Sequence, residues 1–262
     1  EDSGRGGEVM EGGGEEGAGG GGGKKGRGGV WGVKENDTGV KGKLINMENK
    51  RNFIDRLRNE ILAGLPGTEV QWQMASSDRM IRNFPRIPGK DARAASVLIL
   101  LYPYNESVYT VFMQRPDYNG VHGGQISFPG GKQESSDENA IQTALREANE
   151  ETGVDLMKID IIGVLTPLFI PVSNTIVTPV VAWINEKPDF IHDAEEVVFL
   201  FDADLNRFYD PCIVKKTSVK IGLETLEVKY YDYEGNMIWG ATAMMLHELL
   251  IILGRSGLFP GE

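Results

Sequence analysis

Phe128–Val154, FPGGKQESSDENAIQTALREANEETGV, is the stretch that decides how the rest of the chain is read. Pro129, Gly130 and Gly131 suit a tight turn in which the backbone comes close to a neighbour. A polar loop follows, in which Ser135, Ser136 or Asp137 could each cap a helix. From about Asp137 the spacing predicts that helix. Ala140, Ile141, Ala144, Leu145 and Ala148 recur at three- and four-residue intervals as an apolar face, and Gly153 is a stop signal just past the last turn. The other face is acidic. Glu147, Glu150 and Glu151 stand at i, i+3 and i+4, so their carboxylates converge on one patch and repel unless something cationic offsets them. Arg146 can offset one; Mg²⁺ or Mn²⁺, which suit hard carboxylate oxygens, would offset the rest. For REANEE taken alone, a solvated acidic face is the plainer reading.

The joint pattern argues for more. A Gly-Gly turn, a loop, then R-E-x-x-E-E-x-G resembles the Nudix box, G-x5-E-x7-R-E-U-x-E-E-x-G-U with U a bulky apolar residue, the signature of hydrolases that cut diphosphates linked to a nucleoside. The second half matches at Arg146, Glu147, Glu150, Glu151, Gly153 and Val154, with the smaller Ala148 at the first U. The first half is one residue longer. Counting back from Arg146 puts the box acid on Glu138, and counting forward from Gly131 puts it on Asp137. A longer loop reconciles the counts and keeps Gly131 as the functional glycine.

Upstream, Val111–Gly131, VFMQRPDYNGVHGGQISFPGG, is similar to the motif of the coenzyme A diphosphatase branch of that family, L-L-T-x-R-(S/A)-x3-R-x3-G-x3-F-P-G-G. Arg115, Gly124, Phe128, Pro129, Gly130 and Gly131 fall in register. Pro116 replaces the small residue, and Gly120 stands where the second arginine is expected.

These resemblances imply an α/β (α+β) Nudix fold, a mixed sheet sandwiched between helices. They imply Mg²⁺ or Mn²⁺ on Glu147, Glu150 and Glu151, with the Gly131 carbonyl, and catalysis by Glu150 and Glu151 with Arg146 holding the cluster. Substrate contacts would come from Arg115, Gln125, Phe128, Gly130 and Gly131. Arg115 has two readings, a fork on a phosphate, which guanidinium geometry favours, or the end of a strand; the motif favours the first. An acidic residue at Asp193, Glu195 or Glu196 resembles the family's extra glutamate, with Glu196 preferred and a solvated loop acid as the alternative. His122, a loop histidine among glycines, is the weaker candidate. The implied substrate is coenzyme A or an acyl derivative, cut to 3′,5′-ADP and 4′-phosphopantetheine. A Nudix hydrolase of ADP-ribose or a dinucleotide, a non-catalytic Nudix-fold binding module and a structural protein with an acidic helix are the rivals.

Composition bounds the rest. The net charge is −11 over 262 residues, and residues 1–46, with seven basic and eight acidic side chains, account for only −1 of it. That balance argues against a nucleic-acid partner, which needs a basic footprint. Residues 1–46 hold 18 of the 34 glycines and almost no aliphatic side chains before Val30. They read as a disordered, dispensable leader or a flexible interaction tail, and residues 47–262 as the Nudix domain. One cysteine, Cys212, leaves no internal disulfide and no zinc cluster, and no apolar run reaches membrane-spanning length. The expectation is a cytoplasmic protein with no membrane contact, and a homodimer is left open.

Along the chain the pattern predicts a helix over 49–63, strands over 95–101 and 108–114 joined by a turn, and strands over 159–165 and 176–184 around a loop at 166–174. A strand follows from Val197, a helical turn at 205–209, one or two strands over 219–231 broken at Gly222, and a terminal helix through Leu253. Arg93 is the notable charge before the first strand, Phe169, Ile170 and Val172 read as packing residues by default, and Trp239 reads equally as core or as substrate-stacking.

Overall fold

The computed structural model describes residues 47–76, 88–117, 123–221 and 224–259. The leader, Gly120, His122 and Gly222 lie outside the described residues. Helix α1 (Met47–Ala63) buries Phe53 and Leu57 and is followed by an unanticipated short α2 (Thr68–Gln71). Strands β1 (Arg93–Tyr104) and β2 (Ser107–Gln114) form a hairpin turning at Asn105 and Glu106, both at positive φ (44° and 61°). Next come β3 (Ile126–Ser127), β4 (Gly130–Lys132), α3 (Ala140–Thr152) and β5 (Asp160–Val164). The chain then runs through β6 (Leu168–Ile170), β7 (Thr175–Trp183) and β8 (Phe199–Asp204). It ends in β9 (Val214–Ile221), β10 (Glu224–Tyr233), β11 (Asn236–Trp239) and α4 (Gly240–Arg255).

Eight strands make one mixed sheet with the path β3-β2-β1-β7-β5. Off that path, β4 pairs with β1, β6 with β7 and β8 with β2. Among the described residues only β1 and β7 pair in parallel, from Arg93↔Thr175 to Leu101↔Trp183. β9, β10 and β11 form a separate antiparallel sheet. The uninterrupted apolar run in β1 follows from burial on both faces. Leu98 and Leu100 meet Ala144 and Ala148 of α3 on one side, while Ile99 and Leu101 share a core with α1 and α4 on the other. Each such buried leucine or isoleucine contributes roughly 1.5–3 kcal/mol. The predicted helix–sheet–helix layering is what these two cores produce.

The feature that places the site is a parting of strands. β1 and β2 pair only from Leu101↔Thr110 to Tyr104↔Ser107 and then diverge. The chain from Ile126 to Lys132 fills the opening. β3 pairs with β2 through Met113↔Ser127, and β4 pairs with β1 through Ser96↔Gly131 and Val97↔Gly130. Between them, Leu98 N–H donates to the Pro129 carbonyl at 2.8 Å.

Two expectations shift. The predicted loop over 166–174 contains β6, because Leu168–Ile170 forms an edge strand against β7 between Pro167 and Pro171, and edges are where such prolines fit. The predicted strands over 219–231 become a longer hairpin with a third strand, β11, which pairs with β10 before α4 begins. Glu248 of α4, fully buried, accepts from Gly67 N–H (3.1 Å), Gln71 Nε2 (2.9 Å) and Thr166 Oγ1 (2.5 Å), tying α2 and the β5–β6 connection to the terminal helix. Among the described residues, no helix is long and apolar enough to cross a membrane.

Candidate active site

Helix α3 starts later than its spacing predicts. Its cap is Asn139, whose Oδ1 accepts from Ile141 N–H (3.0 Å) and Gln142 N–H (3.1 Å), so neither Ser135, Ser136 nor Asp137 caps it. Gly153 ends it in the left-handed region (φ 67°), its N–H on the Asn149 carbonyl. Ala144 and Ala148 bury the apolar face against the sheet, which turns the acidic face toward β4 and the end of β2.

Asp137 does something else. Arg146 Nε donates to its Oδ1 (3.1 Å) and Nη2 to its Oδ2 (2.9 Å), a bidentate fork. Nη2 also donates to the Lys132 carbonyl (3.0 Å). Nη1 lies 3.1 Å from Glu147 Oε1 and 3.0 Å from Glu150 Oε2. Arg146 hydrogen bonding holds the Asp137 carboxyl well below the usual carboxylate range, and Asp137 in turn raises the guanidinium. Glu138 faces solvent and bonds Gln142 instead. Of the two residues that the counts leave open for the box acid, Asp137 is the one in the cluster.

The three glutamates differ in setting. Glu150 is half exposed, Glu147 is mostly covered, and the Glu151 side chain is 5% exposed. Glu151 Oε2 accepts from Gly130 N–H at 2.6 Å, and Arg115 Nη1 lies 3.6 Å from its Oε1. Burial is the main force pushing Glu151 up to about 7. Arg115 and the Gly130 N–H oppose that shift, and the charges of Glu147 and Glu196 add to it. Burial likewise raises Glu147. Gly131 packs so close to the Glu147 carboxylate that a Cβ there would overlap it. At Gly130, with φ 150°, a Cβ would overlap the Ser96 carbonyl and Val97. Only glycine lets the backbone run between β1 and α3 here.

The other predicted residues divide. Glu196 is exposed on the loop before β8, near enough for its charge to act on Glu151. Gln125 lends its carbonyl to Arg115 N–H at 3.1 Å. Phe128 is fully buried, its ring centroid 4.7 Å from that of Phe112, and fills the parting between β1 and β2. Arg93 donates to the Ser173 carbonyl (2.6 Å) and ties β1 to the turn after β6. Trp239 is half-buried just before α4. Two relations were not legible in the spacing: the contact of Arg115 with Glu151, and the core position of Phe128. Both depend on strands far apart in the chain.

The donor set suits a divalent cation. Glu147, Glu150, Glu151 and the neighbouring Gly131 carbonyl are hard oxygen donors that could hold Mg²⁺ or Mn²⁺. Burial raises Glu147 and Glu151, neighbouring carboxylates add to the shift, and a bound divalent cation would favour their charged forms. Among the described residues no three acidic, histidine or cysteine side chains are placed together so as to hold a metal ion; Arg146 sits between Glu147 and Glu150.

Comparison with known proteins identifies the family. A family model described as NUDIX domain matches residues 92–207. The chain is 31% identical over 182 residues, 68% of its length and 88% of the relative, to a protein named uncharacterized Nudix hydrolase NudL from Yersinia pestis (strain Pestoides F). It is 30% identical over 164 residues, 63% of this chain and 84% of the relative, to one of the same name from Pectobacterium atrosepticum. Among solved structures, a MutT/nudix family protein from Enterococcus faecalis aligns over 72% of this chain and 73% of its own at 14% identity, with a TM-score of 0.43, too distant to carry weight. The chain belongs to the Nudix hydrolase family, enzymes that act on phosphorus-containing anhydrides.

Proposed function

We propose that this Nudix hydrolase cuts the diphosphate bond of coenzyme A or an acyl-coenzyme A, giving 3′,5′-ADP and (acyl-)4′-phosphopantetheine. The observation that supports it most is that the two separate sequence motifs meet in one place. Arg115, from the motif similar to the coenzyme A branch, contacts Gly130 of that motif and Glu151 of the box. In this reading Glu147, Glu150, Glu151 and the Gly131 carbonyl hold Mg²⁺ or Mn²⁺. The metal would polarise the diphosphate, neutralise charge on the leaving phosphate and lower the pKa of the attacking water.

The chain's own groups do the rest. Arg146, fixed by Asp137, keeps Glu147 and Glu150 turned to one side of α3. Glu196, exposed at the site's edge, accepts the proton as water adds to phosphorus and the bridging P–O bond breaks, then returns it to solvent. Each product leaves as a phosphate monoester, and no covalent protein nucleophile is needed. A cytoplasmic setting, where thiols stay reduced, suits the exposed free Cys212.

Incubation with coenzyme A and Mg²⁺ or Mn²⁺, followed by chromatography beside ADP-ribose and NADH, tests the reading. Metal-dependent release of 3′,5′-ADP is expected. Turnover of ADP-ribose or NADH alone would keep the chemistry and reject the substrate. Gly120, at the position of the motif's second arginine, is the specific reason to run those controls.

A further inference from the structure

We infer that Arg115 is a positioning residue that sets Gly130 and Glu151 for metal binding, with its guanidinium turned to the protein rather than to substrate phosphate. β2 and β4 share no ladder, since β3 pairs with β2 and β4 pairs with β1. A side chain therefore has to span the parting between them. Arg115 follows directly after β2, with its N–H fixed to the Gln125 carbonyl. From there its Nη2 donates to the Gly130 carbonyl and its Nη1 lies 3.6 Å from Glu151 Oε1. The circuit closes because Gly130 N–H donates to Glu151 Oε2 at 2.6 Å.

One guanidinium thus fixes a peptide and a carboxylate that already touch each other. Gly130 cannot yield toward β1, where its backbone is against the Ser96 carbonyl and Val97. The Arg115 side chain is 24% exposed, and both arms of its fork are directed at protein groups. A lysine, with one compact ammonium, cannot serve both partners.

This inference rests on the proposed metal role of Glu151, and the test separates the two. Mn²⁺ affinity of the full chain is measured without substrate, from the electron paramagnetic resonance signal of free Mn²⁺. Wild type is compared with Arg115→Ala, Arg115→Lys, Glu151→Gln and the Arg115→Ala/Glu151→Gln double variant. Steady-state kinetics are run on whichever diphosphate the wild type cleaves. Arg115→Ala should weaken Mn²⁺ binding about 10- to 100-fold, the range for groups that orient a ligand. It should lower kcat by a similar factor while KM stays within about threefold. Arg115→Lys should recover little of either. In the Glu151→Gln background, Arg115→Ala should weaken binding by less than about twofold, because groups acting through one another are not additive. Should Arg115→Ala fail to fold, Arg115→Gln carries the same readouts. A tenfold rise in KM with unchanged Mn²⁺ affinity would make Arg115 a substrate fork and overturn the inference. Equal losses in both backgrounds would overturn it too. A wild-type chain that binds no Mn²⁺ would overturn the metal reading itself, and this inference with it.

Discussion

Arg146 finds Asp137, Glu147 and Glu150 within its own loop and helix. Arg115 reaches Glu151 only because β2 and α3 are brought together by a sheet that parts to admit β4. The first cluster is built by spacing on one helix and its preceding loop, and it reaches water through Glu150, which is half exposed. The second is built by topology and is closed, with the Glu151 side chain 5% exposed. The charge of Glu150 is screened by water and has Glu147 beside it. Glu151, buried where Glu150 is half exposed, is screened far less, so the two glutamates, adjacent in sequence, should not be equivalent.

Replacing them one at a time tests that difference where it should be largest. Glu151→Gln should lower kcat on the order of 10³-fold, since a cation's stabilisation of the transition state amounts to several kcal/mol. The fold should survive, because the glutamine Oε can still accept from Gly130 N–H. Thermal unfolding and steady-state kinetics with Mg²⁺ read both effects. Glu150→Gln should cost clearly less. Equal losses would mean that burial does not distinguish the two carboxylates, and wild-type turnover in Glu151→Gln would remove the assignment altogether.

A smaller effect sharpens the open side. Asp137→Asn keeps the shape but removes the charge that forks onto Arg146, and should lower kcat about 10- to 100-fold, as for other groups that orient a metal ligand. Glu138→Gln, on an exposed side chain bonded to Gln142, should leave kcat within about twofold, as ordinary surface changes do. The reverse order would move the box acid to Glu138 and make the fork to Asp137 incidental.

The same contrast explains how much could be read beforehand. The helix, its acidic patch and the Arg146 pairing follow from three- and four-residue spacing, which the sequence displays directly. The layering follows from continuous apolar runs such as Val97–Leu101. The choice between Asp137 and Glu138 could not be counted out, because it turns on which carboxylate the loop folds back under Arg146. Phe128 reads as a site residue since it adjoins Pro129 and Gly130, yet its ring is needed where β1 and β2 separate. Arg115 is marked by its motif, but its partner lies on an element whose approach depends on three strand pairings. Strand β6 was hidden by the two prolines that bound it.

The start of α3 offers the smallest and most local test. The three caps that the sequence suggests, Ser135, Ser136 and Asp137, are exposed or partly exposed, and it is Asn139 that bonds the first helical N–H groups. Asn139→Ala should destabilise the protein by about 1 kcal/mol, the usual cost of losing such a cap, as read by urea unfolding at constant m-value. Ser135→Ala and Ser136→Ala should each fall within about 0.5 kcal/mol of wild type, because neither hydroxyl caps the helix. Activity gives the finer reading. Arg146 and the glutamates sit in the second and third turns, beyond the end that frays, and Asp137 clamps Arg146 from outside the helix. Asn139→Ala should therefore lower stability while kcat changes by less than about threefold. A large kcat loss at small stability cost would mean that the acidic face is aligned from the helix start rather than by the Asp137–Arg146 fork.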